Sequence, residues 1–184
     1  MKELSLNSLD VAENSLKAGA TLTEISISED EASLTVTIGD DGCGMSEETL
    51  LSVTNPFYTT RTTRKVGLGI PLFKMAAEQT GGSFSVVSKT DEQDADGHGT
   101  TVTAVFIKNH LDFTPLGDVI STVTTLIQGH PDRDFLFTHK GCGIDVTLDT
   151  RMLREVLDDV PLSSFEVLTW IRESLEEQYN SISD

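Results

Sequence analysis

Positive charge is what this chain most lacks: 13 Lys and Arg stand against 30 Asp and Glu, a formal charge of −17 over 184 residues. Duplex DNA or an anionic membrane would meet a like-charged surface, so general nucleic-acid binding and membrane binding are disfavoured. The deficit is spread evenly, with net charges of −8 in residues 1–109 and −9 in residues 110–184. Neither half is a basic arm. Cysteine is almost as scarce: Cys43 and Cys142 lie far apart, with no CxxC and no Cys/His cluster at metal-ligand spacing, which argues against a disulfide framework or a structural zinc site. Long apolar runs are missing too. No stretch reaches the roughly 18 residues a membrane span requires, and no apolar core follows Met1-Lys2-Glu3-Leu4, so the expectation is a soluble protein of the reducing cytoplasm.

What is present reads as alternating helix and strand. Leu9, Ala12 and Leu16 recur at helical spacing ahead of Gly19, a C-cap glycine. Ile25 and Ile27, then Leu34, Val36 and Ile38, alternate as two half-buried strands of a hairpin around Glu29-Asp30-Glu31. A glycine-punctuated turn, Asp40-Asp41-Gly42-Cys43-Gly44, follows, and Ser46 with Glu47 and Glu48 behind it opens a short helix to about Val53. Residues 54–66 show neither periodicity and read as a mobile loop. Leu72, Phe73, Ala76 and Ala77 restore the helical pattern up to Gly81-Gly82, and Phe84-Val86 and Val102-Ala104-Phe106 give two further strands.

After Lys108 a helix is expected through Leu116 to Ile127, a hairpin about Lys140-Gly141-Cys142-Gly143, and helices over 151–158 and 164–179. With no Pro- or Ser-rich linker between them, an N-terminal unit over residues 1–109 and a small α/β extension over 110–184 are expected to pack together.

Several side chains in this layout suit chemistry. Asp10 and Asn14 lie four residues apart on the first helix, an acid and an amide on one face. Asp40-x-Gly42-x-Gly44 brings a carboxylate and close backbone to a flat ligand. Gly67-Leu68-Gly69 opening a helix suits phosphate through free N–H groups, and Arg61, Arg64 and Lys65 add three cations to a chain short of them. Singly, each has a plainer explanation: a solvated helix face, an ordinary tight turn, a loop kept soluble. Their order along the chain is what carries weight.

That order, LDVAENSLKAGAT, DDGCGM, NPFYTTRTTRKVGLGIPLFKMAAEQTGG and GHGTTVTAVF, resembles the GHKL superfamily of ATPases over about residues 4–107. The resemblance implies an α/β fold, a two-layer α/β sandwich with a mixed sheet and helices on one face; the small C-terminal α/β extension read from the pattern after Lys108 lies beyond it. The resemblance also implies ATP and Mg²⁺ as cofactors: Asn14 as the metal ligand, Asp40 on the adenine amino group with Gly42 and Gly44 framing the pocket, and Gly67, Leu68 and Gly69 at the phosphates. Thr100 would support Asp40 through its hydroxyl. Asp10 would be the base for an attacking water, and Arg61, Arg64 and Lys65 would stabilise the γ-phosphate. Asp10 stands where the family commonly has Glu; Glu13, adjacent to Asn14, points about 100° away from it on the helix and is the poorer base.

ENSLKAGAT with DDGCGM is similar to mismatch-repair ATPases, whereas PFYTTR with GLGI and TGG is similar to histidine kinases, and the short loop favours the latter. Lys65 and Val66 depart from the kinase pattern, and no phosphoacceptor helical hairpin precedes the domain, so a complete sensor kinase is not expected. The resemblance therefore implies a Mg-ATP-binding regulatory protein acting on a separate protein partner, with homodimerisation left open. A non-catalytic ATP-sensing module is the alternative, and a mismatch-repair-like DNA ATPase ranks third on charge. The histidines are assigned no role, Cys142 is read as a hairpin turn, and Trp170 is expected to pack the terminal helix.

Overall fold

The computed structural model describes residues 3–54 and 69–181. Arg61, Arg64, Lys65, Gly67, Leu68 and the expected loop over 54–66, apart from Thr54, lie outside these residues.

Helix α1 (Leu4–Lys17) opens the chain. No side chain caps its start; instead the Leu4 and Ser5 N–H groups donate to the carbonyls of Pro115 and Leu116, at 3.0 and 2.8 Å. Donors that a helix start leaves orphaned are thus satisfied by chain from far along the sequence. Strands β1 (Leu22–Glu29) and β2 (Ser33–Asp40) form the expected hairpin. Helix α2 (Glu47–Thr54) is capped by Ser46, whose Oγ accepts from the Thr49 N–H at 3.3 Å. Helix α3 (Gly69–Gln79) leads into β3 (Ser83–Lys89) and β4 (Gly99–Ile107). Helix α4 (Val119–Gly129), strands β5 (Asp134–Gly141) and β6 (Ile144–Asp149), and helices α5 (Thr150–Leu157) and α6 (Phe165–Asn180) complete the order.

All six strands join one mixed sheet in the order β3-β4-β2-β1-β5-β6. Among the described residues only β1 and β5 pair in parallel, Ile25 opposite Phe137, so β5 and β6 extend the same sheet that β1 to β4 begin. The alternation of each strand places its apolar residues on one face: Val86, Val102, Ile38, Ile25, Phe137 and Leu148 stand in register across it. On that face α1 packs over β1 and β2, α3 over β3 and β4, α4 over β5 and α6 over β6. Phe73 of α3 and Phe106 of β4, both fully buried with ring centroids 5.5 Å apart, anchor the layer contact. The opposite face carries a row of hydroxyls, Ser85, Thr103, Thr37, Ser26, Thr138 and Thr147. This is the α/β sandwich expected from the alternation of strands and helices.

Among the described residues no helix is long and apolar enough to cross a membrane.

Candidate functional site

The site is assembled where the end of β2, the start of β4 and the end of α1 meet. Asp40 is the last residue of β2, and its register partner on β4 is Thr100. Its Oδ1 accepts two backbone N–H groups, from Gly42 at 2.9 Å and from Thr100 at 3.2 Å. A carboxylate oxygen held by two amides cannot rotate freely, so Oδ2 is pointed by the backbone rather than by its own rotamer preference.

Thr100 thus reaches Asp40 through its amide and not through its hydroxyl. The hydroxyl instead pairs with Ser88 Oγ on β3 at 2.8 Å. Ser88 also donates to the Gly99 carbonyl at 3.1 Å and accepts from the Met45 N–H at 2.8 Å. It therefore ties β3, β4 and the chain leaving the glycine turn to one another. The sequence offered no sign of this role, because a serine in an alternating strand carries no periodic or spacing signal.

Two positions of the turn leave no room for a side chain. A Cβ on Gly42 would sit 2.9 Å from Ala18 Cβ and 3.0 Å from Asp40 Oδ1. Gly44 has φ +68°, and a Cβ there would lie 1.9 Å from the Lys89 carbonyl oxygen; only glycine meets both demands. Cys43 N–H donates to the Ala18 carbonyl at 3.0 Å, which docks the turn on the residue that ends α1. His98 closes the turn from outside: its Nδ1 lies 2.6 Å from the Gly42 carbonyl oxygen. A carbonyl can only accept, so this His98 nitrogen carries the proton.

Asp41, beside Asp40, has a separate task. Its carboxylate accepts from the Thr21 and Leu22 N–H groups, at 2.7 and 2.9 Å, and from the Thr21 hydroxyl. Burial would raise its pKa, but the Leu22 amide together with the Thr21 hydroxyl and amide outweigh it, and the net shift is downward. Asp41 braces the turn against the start of β1.

Helix α1 carries Asp10, exposed, and Asn14, half-buried, one turn apart and one turn short of Ala18. Gly69, the first residue of α3, abuts Asp10: a Cβ on Gly69 would be 3.1 Å from Asp10 Cβ. One helix therefore links the two glycine-rich segments, through Ala18 at the DxGxG turn and through Asp10 at α3. Glu13, the alternative base, is occupied elsewhere: His130, the C-cap residue of α4, lies 3.1 Å from it through Nε2.

With this geometry in hand, the chain can be set beside known proteins. Residues 1–109 match the model of the histidine kinase-, DNA gyrase B- and HSP90-like ATPases. The chain belongs to this family, the GHKL superfamily. Members of the superfamily bind ATP, and the family assignment extends that to this chain at the level of the domain. Solved structures share the fold. The MutL ATPase domain of Aquifex aeolicus complexed with ADP aligns over 94% of this chain and 88% of its own, at 13% identity and a TM-score of 0.55. The N-terminal domain of a DNA repair protein aligns over 80% of this chain and 51% of its own, at 18% identity and a TM-score of 0.53. A mutant of the Aquifex aeolicus MutL ATPase domain aligns over 85% and 67%, at 15% identity and a TM-score of 0.53. No match is found among curated proteins. The first of these alignments runs beyond residue 109 into the segment that supplies β5 and β6, so the likeness in fold is broader than the family match.

Proposed function

We propose that this GHKL domain binds Mg-ATP beside α1 and the start of α3, and uses the bound nucleotide to control a separate protein partner in the cytoplasm. The observation that carries the reading is the Asp40 carboxylate, one oxygen fixed by two amides, at a turn whose Gly42 packs its backbone closely against that same carboxylate. Its remaining oxygen is an acceptor suited to an adenine amino group, with Gly42 and Gly44 beside it. Gly67, Leu68 and Gly69 would receive the phosphates through backbone N–H groups at the head of α3. Arg61, Arg64 and Lys65 would offset charge on the γ-phosphoryl group.

Asp10 and Asn14 fit Mg²⁺, a hard cation that takes one or two protein oxygens and completes its shell with phosphate and water. Asn14 would be the ligand, and the bound ion would neutralise phosphate charge. Asp10 would orient and deprotonate the attacking water, as a carboxylate within hydrogen-bond reach can do. We read residues 1–109 as the nucleotide domain and 110–184 as an extension that reports its state to the partner.

Incubation of the protein with γ-labelled ATP and Mg²⁺, reading free phosphate and protein-bound label, tests this. Release or transfer of label is expected, reduced at least about 100-fold in Asp10→Asn with nucleotide affinity retained. Intact ATP with full binding would leave the ATP-sensing module as the function and remove Asp10 from the chemistry.

A second reading, a mismatch-repair-like ATPase, is favoured by one observation, the MutL-domain alignment running past residue 109. It requires salt-dependent DNA binding, which the charge of −17 opposes.

A further inference from the structure

The last two helices carry an apolar surface that the nucleotide site does not use. On α6, Val167, Ile171 and Leu175 face the core at helical spacing and are buried. Phe165 and Trp170 face away, 79% and 52% exposed. On α5, Met152 and Val156, one turn apart, are 67% and 84% exposed. Helix α5 rests on β5, whereas α6 rests on α4 and β6, and a cavity of about 430 Å³ opens between them. It is lined by Leu153, Val156, Leu157, Glu166, Val167 and Trp170. Trp170, expected to pack the terminal helix, lies half exposed on it and forms one wall of this groove. Contiguous exposed apolar surface of this kind marks an interaction site more often than chance exposure of single residues.

The rim is acidic. Glu166 stands in the lining itself, and Glu155, Asp158, Asp159 and Glu173, one to three residues from lining residues in sequence, are exposed. The nearby cations are already engaged: Arg151 grips Asp149 at 2.7 and 2.9 Å, Arg154 grips Asp134 at 2.8 Å, and Arg172 reaches Ser121 Oγ at 3.4 Å. An apolar floor inside a negative rim selects its occupant by charge as well as by shape.

We propose that the groove between α5 and α6 docks an amphipathic helix of a partner protein, apolar on one face and basic along its flanks. Such a helix would place side chains at i, i+3 or i+4 and i+7 on Val156, Leu157 and Trp170, and its Lys or Arg flanks would lie against Glu155, Glu166 and Glu173. A second copy of this chain is the poorer occupant, because its own groove brings the same acidic rim into contact. The inference stands apart from the nucleotide reading, since every residue in it follows position 109.

Trp170 is the only tryptophan in the chain, so its emission reports on the groove alone. The probe is a designed Leu/Lys amphipathic helix of about 18 residues, roughly 27 Å long, titrated into the full chain. Micromolar binding with a blue shift of Trp170 emission is expected. Affinity at least about tenfold lower is expected for a Leu/Glu helix, and equally for a Ser/Lys helix of the same charge. Val156→Glu should cause a similar loss. That change adds negative charge and by attraction alone would strengthen binding, so a loss isolates the apolar contact. Val156→Ser, which removes the apolar side chain without adding charge at an exposed position, is the second variant should the first disturb the fold.

Equal binding of the Ser/Lys helix would reduce the interaction to charge and overturn the proposal, as would a Trp170 emission that no helix moves. A blue shift that grows with protein concentration alone and vanishes in Val156→Glu would assign the groove to a second copy instead.

Discussion

Gly69 at the head of α3 stands against Asp10 in the middle of α1, with room for 3.1 Å between a Cβ on the glycine and that of the aspartate. This is tighter than ordinary van der Waals contact, so the closeness of the two helices depends on a hydrogen atom at position 69. The same helix meets the DxGxG turn at Ala18, where the space left by Gly42 is equally small. Two glycines therefore set the distances from α1 to the head of α3 and to the DxGxG turn, the two halves of the proposed nucleotide site.

Gly69→Val is expected to push α3 off α1 and to cost about 1–3 kcal/mol of stability, the usual range for overpacking. A lower urea midpoint would show it. Mg-ATP affinity should fall with it, because Asp10 would no longer be held against the head of α3. Gly81→Ala serves as the comparison. A Cβ there meets nothing within 4 Å, although its φ of +77° still strains the backbone, so stability should drop while Mg-ATP affinity is kept.

Removing Asn14, the proposed metal ligand, should separate metal binding from base recognition. In Asn14→Ala, ATP affinity measured without Mg²⁺ is expected to match that of the unaltered chain, while the gain on adding Mg²⁺ should disappear. Calorimetry with and without the ion reads both. An unchanged Mg²⁺ dependence would remove Asn14 from the metal site.

Acidification should weaken the C-terminal part of the sheet through His139. This side chain is buried on β5, its Nδ1 2.8 Å from the Tyr179 hydroxyl and its Nε2 3.3 Å from Glu29 Oε1, without hydrogen-bond alignment to the latter. Burial lowers its pKa, and the pull of Glu29 in the other direction is too weak to restore it. Burial, then the Glu29 charge, also push Tyr179 up to about 12, so its phenol stays protonated. Because the folded pKa of His139 lies below the unfolded value of about 6.5, the unfolded chain takes up a proton first. Stability from the neutral imidazole is full above that value and is lost as pH falls toward the lowered folded pKa. Urea midpoints measured from pH 7.5 downward should decline, and His139→Gln should flatten that part of the curve.

Much of this was legible in the sequence because it is local. The period of 3.6 in Leu9, Ala12 and Leu16 marks α1, and the period of 2 in Leu34, Val36 and Ile38 marks β2. The order of Asp10, Asn14, Asp40 and the glycines pointed to the family that residues 1–109 match. Boundaries set by caps were less visible: the helix expected from Leu116 begins at Val119, because Gly117 takes φ +82° and Asp118 caps through the Ser121 N–H at 2.9 Å. What could not be read is non-local. The parallel pairing of β5 with β1 joins residues more than a hundred positions apart, and no spacing along the chain encodes it. The same is true of Ser88, which touches Met45, Gly99 and Thr100 from a separate strand, and of His98 at the Gly42 carbonyl.

The most direct measurement is calorimetric titration of Mg-ATP into the unaltered chain and into Asp40→Asn. The asparagine oxygen can still accept the Gly42 and Thr100 amides, so the turn should keep its shape. Its amide nitrogen, however, would present a donor to the adenine amino group where a carboxylate oxygen accepted. Losing a hydrogen bond to a charged group costs about 1.5–3 kcal/mol, so affinity should fall roughly 10- to 100-fold with an unchanged circular dichroism spectrum. Identical isotherms for the two proteins would contradict the placement of adenine at Asp40.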